Sequence, residues 1–361
     1  MKIIELRALD LPEFVEMRGK EWVSFGKDNL YPDKIIELYN TSAMNGTAIN
    51  SITDAVKGEG IAEYGDLVVN QLGDTLNDLY ERIALDYVLF GGYVLNVIWN
   101  RGGDKVVEIY HLSFDKVRSG KLNEEDVVEE YYYSSNWSNT RKYKPVRYKS
   151  YNPLDNKGEN ASQIFYCFDY TPGNMIYPLP AYVGALNDIQ LDARISKYHN
   201  SNISNGFSGG VLINMPNGEP TPDEQRALYR DLVKSFTGED NAGRLFVSFS
   251  EGPELAPQVQ AVTSANDDYY TTLETRISSR ILTAHRITSG RLIGVRDEGG
   301  LGNNANEIEV AYTHFVSTTI EPKQKKINKC LSRVLSAYGI DAPLSIIPST
   351  IDFNRNITGE V

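Results

Sequence analysis

The amino-acid sequence predicts an α+β fold, with a mixed first half and a second half of long helices around a small β-α-β module. In the first half, helical patterns of apolar residues alternate with short strand-like runs. In the second half, a strand–helix–strand pattern lies between two longer helical patterns. The 361 residues are 41% hydrophobic, which is enough apolar material for one or two packed cores.

Glycines and hairpin signals bound the first helices and strands. The Gly91-Gly92 pair ends one helical pattern, and Arg101-Gly-Gly-Asp104 has the composition of a tight hairpin turn. In chain order we predict a turn-rich segment at 25–32, a helix around 35–39, a helix at about 41–57, a helix from about 74 to 90, a strand at 93–100 and a returning strand at 105–112.

Aromatic residues dominate the segment 129–168, which is strand-like and predicts an antiparallel sheet with loops between the strands. Pro172, Pro178 and Pro180 then interrupt the chain, and we place the first domain boundary there. The chain has 23 tyrosines. Because tyrosine combines an apolar ring with a polar tip, it suits half-buried surfaces such as subunit contacts.

The second half begins with a helix that we expect from Leu179 towards Tyr198. Strands at 211–215 and 244–249 follow, and Thr221-Pro-Asp-Glu224 predicts a capping box at the start of the helix between them. Further along we predict a helix from near Asn266, a glycine-rich loop at 297–304 and a last long helix. Proline at position 322 must kink or break that helix, because it lacks the backbone donor.

The charge balance limits the ways in which the chain could interact with nucleic acid. The formal net charge is −12, so the chain is not a protein that holds DNA by general phosphate neutralisation. Either it has no nucleic-acid partner, or DNA moves along it without adhering. The longest apolar stretch is interrupted by Gly91-Gly92 and Asn96, and we expect no membrane span and no signal peptide.

Catalytic and metal-binding patterns are not evident in the sequence. The four histidines do not share ligand spacing with a cysteine or with each other, and Gly299-Gly-Leu-Gly302 lacks the strand and Lys-Ser/Thr of a phosphate loop. Two cysteines, Cys167 and Cys330, predict no disulfide framework, which fits assembly in a reducing cytosol. We therefore predict no catalytic residue, no metal and no cofactor.

One concentrated basic segment follows Pro322. It contains Lys323, Lys325, Lys326 and Lys329, and their spacing spreads them over more than one helix face. They are either a solvated helix face or a set of phosphate contacts in a ring of positive charge.

The order of parts resembles the portal proteins of tailed phages, especially the shorter members related to the HK97-type and PBSX-type families. The segments that carry this resemblance, over about two thirds of the chain, are Leu89-Phe-Gly-Gly-Tyr-Val-Leu-Asn-Val-Ile98, Ser208-Gly-Gly-Val-Leu-Ile213, Thr221-Pro-Asp-Glu-Gln225, Asn241-Ala-Gly-Arg-Leu-Phe-Val247, His285-Arg-Ile-Thr-Ser-Gly-Arg-Leu-Ile-Gly294 and Phe315-Val-Ser-Thr-Thr-Ile-Glu-Pro322.

The resemblance implies a portal fold and a division of the chain. In order, it gives a mixed α/β wing at 1–178, a first stem helix at 179–206, a β-α-β clip at 207–263, a second stem helix at 264–290, a tunnel loop at 291–306 and, at 307–361, a kinked tunnel helix with a wing return and a short tail.

The resemblance also implies a function without an active site. Portal subunits form a ring, here expected to have twelve copies, at one capsid vertex of the virion after assembly in the host cytoplasm. Double-stranded DNA passes through the ring, which contacts the major capsid protein and scaffold, then the terminase large subunit, then a head-tail adaptor. The loop residues expected at the DNA channel are Glu298, Gly299, Gly300, Leu301, Gly302, Asn303 and Asn304. The clip residues expected to face terminase or adaptor are Glu219, Asp223, Glu224, Arg226 and Arg230.

Two other functions fit parts of the sequence. One is a carbohydrate-active hydrolase with cleft carboxylates and a tyrosine-rich sugar-binding face, which requires a pair of carboxylates buried in a deep pocket with raised pKa. The other is a different virion component, such as an adaptor or tail protein.

Overall fold

The computed structural model describes residues 12–16, 19–204, 211–215, 221–227, 230, 245–249, 267–295 and 305–349. The chain divides into two compact units. The first consists of Met1–Gln190 and Ser279–Val361, and the second is Leu191–Ser278.

The first unit is built on a six-stranded sheet with helices packed against it. Its elements are β1 (Phe14–Glu16), β2 (Val23–Phe25), α1 (Tyr31–Thr41), α2 (Ala43–Lys57), α3 (Leu76–Phe90), β3 (Gly92–Trp99), β4 (Val106–Leu112), β5 (Val117–Ser119), β6 (Glu130–Tyr133), β7 (Val146–Ser150) and β8 (Ser162–Phe168). After α4 (Leu186–Ser204), β9 (Val211–Met215), β10 (Leu245–Phe249) and α5 (Asp267–Ala284), the chain returns with α6 (Ala305–Phe315) and α7 (Glu321–Tyr338).

The strand order in the large sheet is β4-β3-β8-β7-β6-β5. The predicted hairpin is confirmed, because β3 and β4 pair antiparallel and place Val97 opposite Ile109. The expectation of a purely antiparallel sheet is wrong at one junction, since β7 and β8 pair in parallel, with Lys149 opposite Gln163. The reason is the long connection at 151–161, which carries the chain back before β8 begins.

Helix α3 shows how local signals fix an element. Its N-cap is Thr75, whose hydroxyl accepts a hydrogen bond from the Asp78 amide at 3.1 Å. In return the Asp78 carboxylate accepts from the Thr75 amide at 2.8 Å, which completes a capping box. The helix ends at Gly91, whose φ of +83° is a left-handed conformation that favours glycine.

We expect Thr75→Ala to lower the free energy of unfolding by about 1 kcal/mol, because the Asp78 amide loses its acceptor and the Asp78 carboxylate loses the hydroxyl donor. Urea denaturation of the purified chain measures this. Thr75→Ser keeps the hydroxyl and is the matched control, so an equal loss in both variants would contradict the capping role.

Several tyrosines of the first unit lie in its core. Tyr93, Tyr177 and Tyr182 are almost fully buried, and the Tyr177 hydroxyl donates to the Val23 carbonyl at 2.6 Å while accepting from the Ser119 amide at 2.9 Å. The Tyr182 hydroxyl likewise donates to the Leu89 carbonyl. The interpretation of tyrosine as a subunit-contact residue is therefore wrong for these positions, because backbone acceptors satisfy their polar tips inside the fold.

The two cysteines are not independent. Cys167 of β8 and Cys330 of α7 form a disulfide, with their Cα atoms 6.5 Å apart. The prediction of no disulfide is thus wrong. The residues are 163 positions apart in sequence, and the sequence gives no sign that α7 packs against β8.

The second unit contains the β-α-β module. Strands β9 and β10 pair in parallel, as a strand–helix–strand connection requires, with Leu245 opposite Val211. Residues 222–227 are helical, and the Glu224 carboxylate accepts from both the amide and the hydroxyl of Thr221, which agrees with the predicted cap. Preceding the module, α4 begins at Leu186 and not at the predicted Leu179, because prolines at 178 and 180 disfavour helix before that point.

The last helix changes its winding before the proline. Residues Val316–Ile320 form a π-helical segment between α6 and α7, and Pro322 occupies the first turn of α7. Proline is tolerated there because the amides of a first turn need no intrahelical partner. The expected irregularity is present, but the helical path continues through it.

Candidate functional site: the basic segment of the last helix

Helix α7 packs against the rest of the first unit through one apolar face. Its fully buried residues recur at helical spacing and are Ile327, Leu331, Val334 and Leu335. Polar contacts fix its register along the neighbouring helices. The Gln324 amide donates to the Val56 carbonyl at 2.9 Å, and the Tyr80 hydroxyl donates to Asn328 at 3.0 Å.

The four predicted lysines separate into two pairs. Lys325 and Lys329 lie on the exposed side, where Lys325 pairs with Glu321 at 3.1 Å. Lys323 and Lys326 lie on the side that faces the body of the unit. This division follows from 3.6 residues per turn, which puts positions 323 and 326 on one side and positions 325 and 329 on another.

Lys323 and Lys326 meet groups from two other elements. The Lys323 ammonium lies 5.6 Å from the centre of the Tyr87 ring, and Lys326 lies 3.7 Å from the Asp169 carboxylate. Tyr87 donates its hydroxyl to the same carboxylate at 2.5 Å. Burial lowers the pKa of Lys323, and Asp169 opposes that shift. Burial and the Asp169 charge raise the pKa of the Tyr87 hydroxyl.

A DNA-contact role for the four lysines remains a prediction. Lys325 and Lys329 have the exposure that a phosphate contact needs, whereas Lys323 is half-buried among other side chains.

Most of the predicted clip residues lie on the surface. Asp223, Glu224, Arg226 and Arg230 are exposed, and Asp223 pairs with Arg226 at 3.6 Å. Hydrogen bonds from Thr221 lower the pKa of the Glu224 carboxyl, so this residue serves the helix cap. Glu219 and the channel-loop residues from Glu298 to Asn304 lie outside the described residues. A role of these positions in binding a partner therefore stays a prediction.

Metal clusters and buried carboxylate pairs are two arrangements that hydrolytic enzymes use. The described residues contain no group of three His, Cys, Asp or Glu side chains that could hold a metal ion. A cleft beside β6 includes Glu129 and Glu130, but Glu129 is exposed and Glu130 pairs with Arg147 and Lys149. A buried carboxylate pair in a deep pocket, which the hydrolase interpretation requires, is thus not formed there. No helix in the described ranges is long and apolar enough to cross a membrane.

Comparison with solved structures identifies the fold class. A chain in the virion of a native gene transfer agent particle superposes with a TM-score of 0.57 over 90% of this chain and 84% of that chain, at 16% identity. A chain in the neck of the native particle, computed with C12 symmetry, gives a TM-score of 0.54 over 90% and 86%, at 17% identity. The predicted α+β fold is therefore confirmed, and chains of gene transfer agent particles share it.

Two relatives point to a particular protein class. The chain is 23% identical over 256 residues to the probable portal protein of Escherichia phage P2, which covers 69% of this chain and 65% of the relative. It is 24% identical over 173 residues to the probable portal protein of Haemophilus phage HP1, covering 47% and 50%. The matches thus span between half and two thirds of the relatives' lengths. No protein-family model matches the chain. The predicted resemblance to phage portal proteins is confirmed.

Sequence reasoning missed the groups around Lys323. Tyr87 lies in the last turn of α3, Asp169 directly follows β8, and Arg286 lies in the turn after α5. No local sequence pattern shows that these three residues approach one another. Arg286 stood inside one of the segments that carried the portal resemblance, and this was the one signal that marked it.

Proposed function

We propose that the chain is the portal subunit of a tailed phage or prophage, and that copies of it form a ring at one capsid vertex of the virion. The observation that carries the proposal is the agreement of two likenesses. The P2 portal protein matches in sequence over 256 residues, and a gene transfer agent neck chain matches in fold over 90% of the chain. The C12 symmetry used for that neck supports a ring of twelve subunits here.

Double-stranded DNA is the proposed cargo. A net charge of −12 suits a conduit, because a negatively biased wall repels phosphates and lets the duplex slide. The glycine-rich loop at 297–304 is the segment that we assign to the channel. Lys325 and Lys329, on the exposed face of α7, are the lysines placed for transient phosphate contacts.

The proposed partners differ between the stages of virion assembly. During assembly in the host cytoplasm the ring contacts the major capsid protein and scaffold, and the terminase large subunit then docks on the clip. A head-tail adaptor later replaces terminase at the same end. The exposed Asp223, Arg226 and Arg230 give the clip both signs of charge for such exchangeable contacts.

Electron microscopy of the purified chain, alone and with its capsid protein, tests the proposal. We expect rings with an open central channel. Monomers or dimers under every assembly condition would contradict it. Deleting residues 298–303 is expected to leave ring formation intact while DNA packaging or retention falls sharply, and unchanged packaging would remove the channel role from this loop.

A further inference from the structure

A cavity of about 290 Å³ lies beside Lys323 in the first unit. Among the described residues, three cations line it, namely Arg286, Lys323 and Lys326, together with one carboxylate, Asp169. The side chain of Lys326 is 39% exposed, so the cavity reaches the surface there. This concentration of positive charge contrasts with a chain that has 48 acidic and 36 basic residues.

The single carboxylate does not neutralise the cavity. Asp169 is engaged by the Tyr87 hydroxyl at 2.5 Å and by Lys326 at 3.7 Å. Within the described part of the chain, no carboxylate lies within 4 Å of the Lys323 ammonium or of the Arg286 guanidinium. His285, which also lines the cavity, adds no charge at neutral pH, because burial lowers its pKa to about 3. Lys323 and Arg286 are thus left without a carboxylate from the described residues in ion-pair contact.

A buried hydroxyl beside the cavity also lacks a hydrogen-bond partner. Thr319 is 4% exposed, and its hydroxyl has no hydrogen-bond partner among the described residues. A buried polar group that lacks a partner destabilises the fold. Thr319 belongs to the π-helical segment, and it is one of the residues that line the cavity, although its hydroxyl oxygen is itself buried.

Arg286 occupies a backbone position that disfavours arginine. Its φ is +60°, and the Ile287 amide bonds to the Leu282 carbonyl across it in the manner of a helix C-terminal cap. Glycine or asparagine is the usual residue there, and the backbone of any other residue is strained. The strain is explained if the guanidinium is needed in the cavity.

We propose that this cavity receives an aspartate or glutamate side chain from the neighbouring copy of the same chain in the ring. The inference rests on the proposed ring assembly and names one contact within it. An arriving carboxylate would accept from Arg286 and Lys323 together, so that the two unpaired cations would donate charge-assisted hydrogen bonds.

The form of the cavity favours a side chain over a DNA phosphate. A phosphate of duplex DNA stays on a stiff backbone and reaches cations that project from a surface, as Lys325 and Lys329 do. The cavity instead has apolar walls from Ile52, Val88 and Pro322, which suit the methylene groups of an acidic side chain. Acidic residues outnumber basic ones on the chain, so a neighbouring copy offers many candidates.

Zero-length carbodiimide coupling in mixed-isotope rings tests this contact directly. Rings are assembled from equal amounts of ¹⁴N- and ¹⁵N-labelled chains, coupled and digested for mass spectrometry. We expect cross-linked peptides that join Lys323 or Lys326 to an acidic residue. In about half of them, one peptide comes from a light chain and the other from a heavy chain. Coupling of Lys326 to Asp169 within one chain is the internal control, because it always joins two peptides of the same isotope. If every cross-linked product is of this kind, the proposal is overturned.

A pair of matched variants provides the second measurement. Lys323→Met with Arg286→Gln removes the two unpaired cations, and Lys144→Met with Arg141→Gln makes the same charge change on an exposed loop. We expect the first pair to raise the protein concentration needed for ring formation at least about tenfold, and the second to change it little. Thermal denaturation of unassembled chains shows that each variant folds.

The outcomes separate the two proposals. If the unsubstituted chain forms no rings, the proposed function fails. If it forms rings and both variant pairs assemble equally well, the cavity inference fails while the portal role stands. If inorganic phosphate raises the melting temperature through Lys323 and Arg286 but no mixed-isotope product appears, the cavity holds a free anion and the inference is overturned.

Discussion

Replacing Arg118 by alanine is expected to lower the free energy of unfolding by about 3–5 kcal/mol. Its side chain is fully buried, and its guanidinium donates to the Asn29 side chain at 2.7 Å and to the Asn29 carbonyl at 2.8 Å. It also donates to the carbonyls of Asp115 and Val117, and it lies 5.0 Å from the centre of the Trp137 ring. Alanine removes every donor at once and leaves a cavity among unsatisfied carbonyls.

Urea denaturation with two comparison variants checks this result. Arg118→Met fills most of the volume without supplying donors, so we expect a smaller but still large loss, of about 2 kcal/mol or more. Arg147→Ala removes a half-exposed arginine that pairs with Glu130, and its cost should not exceed about 1 kcal/mol. If Arg118→Ala lowered the free energy of unfolding no more than Arg147→Ala does, the buried guanidinium would not be stabilising the turn at Asn29 before α1.

The second large effect is a loss of stability in acid that depends on His285. This side chain is 5% exposed and donates from Nε2 to the Asn45 amide oxygen at 2.9 Å. Burial first, and the Lys323 charge second, lower its pKa from 6.5 to about 3. Between those values the unfolded chain binds a proton that the folded chain does not, so the free energy of unfolding falls as pH falls. The slope is about 1.4 kcal/mol per pH unit, or about 2 kcal/mol between pH 7 and pH 5.

The pH effect must be measured as a difference, because other buried groups titrate too. Burial raises the pKa of Asp86, and that carboxyl has the opposite sign, adding stability as pH falls. His285→Gln keeps an amide donor for Asn45 and does not titrate. The stability of the unsubstituted chain should therefore fall more steeply below pH 6.5 than that of His285→Gln. Parallel curves would show that the histidine is not held neutral.

Elements with local signals could be predicted from the sequence. Helix α3 has a capping residue, an apolar stripe and a glycine terminator within one stretch of chain, and the β3–β4 hairpin has its turn residues between two strand patterns. The parallel β7–β8 junction was not predictable in this way, because it depends on the path of a long connection. Arg118 shows the same limit, since its acceptors include Asn29, which is 89 positions away.

The candidate site was predictable only in outline. Helix geometry was sufficient to expect four lysines on more than one face of the last helix. Which pair turns inward depends on packing against β4, α2 and α3, and the groups that meet Lys323 come from three separate segments. The order of helices and strands in the second half carried the portal resemblance, so topology was more informative there than any single residue.

The Cys167–Cys330 bond has a consequence for how the chain survives cleavage. The covalent loop that it closes contains all of Leu191–Ser278, the whole second unit. A protease that cuts within this unit would leave two fragments of the chain joined through sulfur, and the sheet and α7 would stay together in one molecule. On a non-reducing gel the cleaved protein would still run as one band, and two bands would appear once a thiol is added.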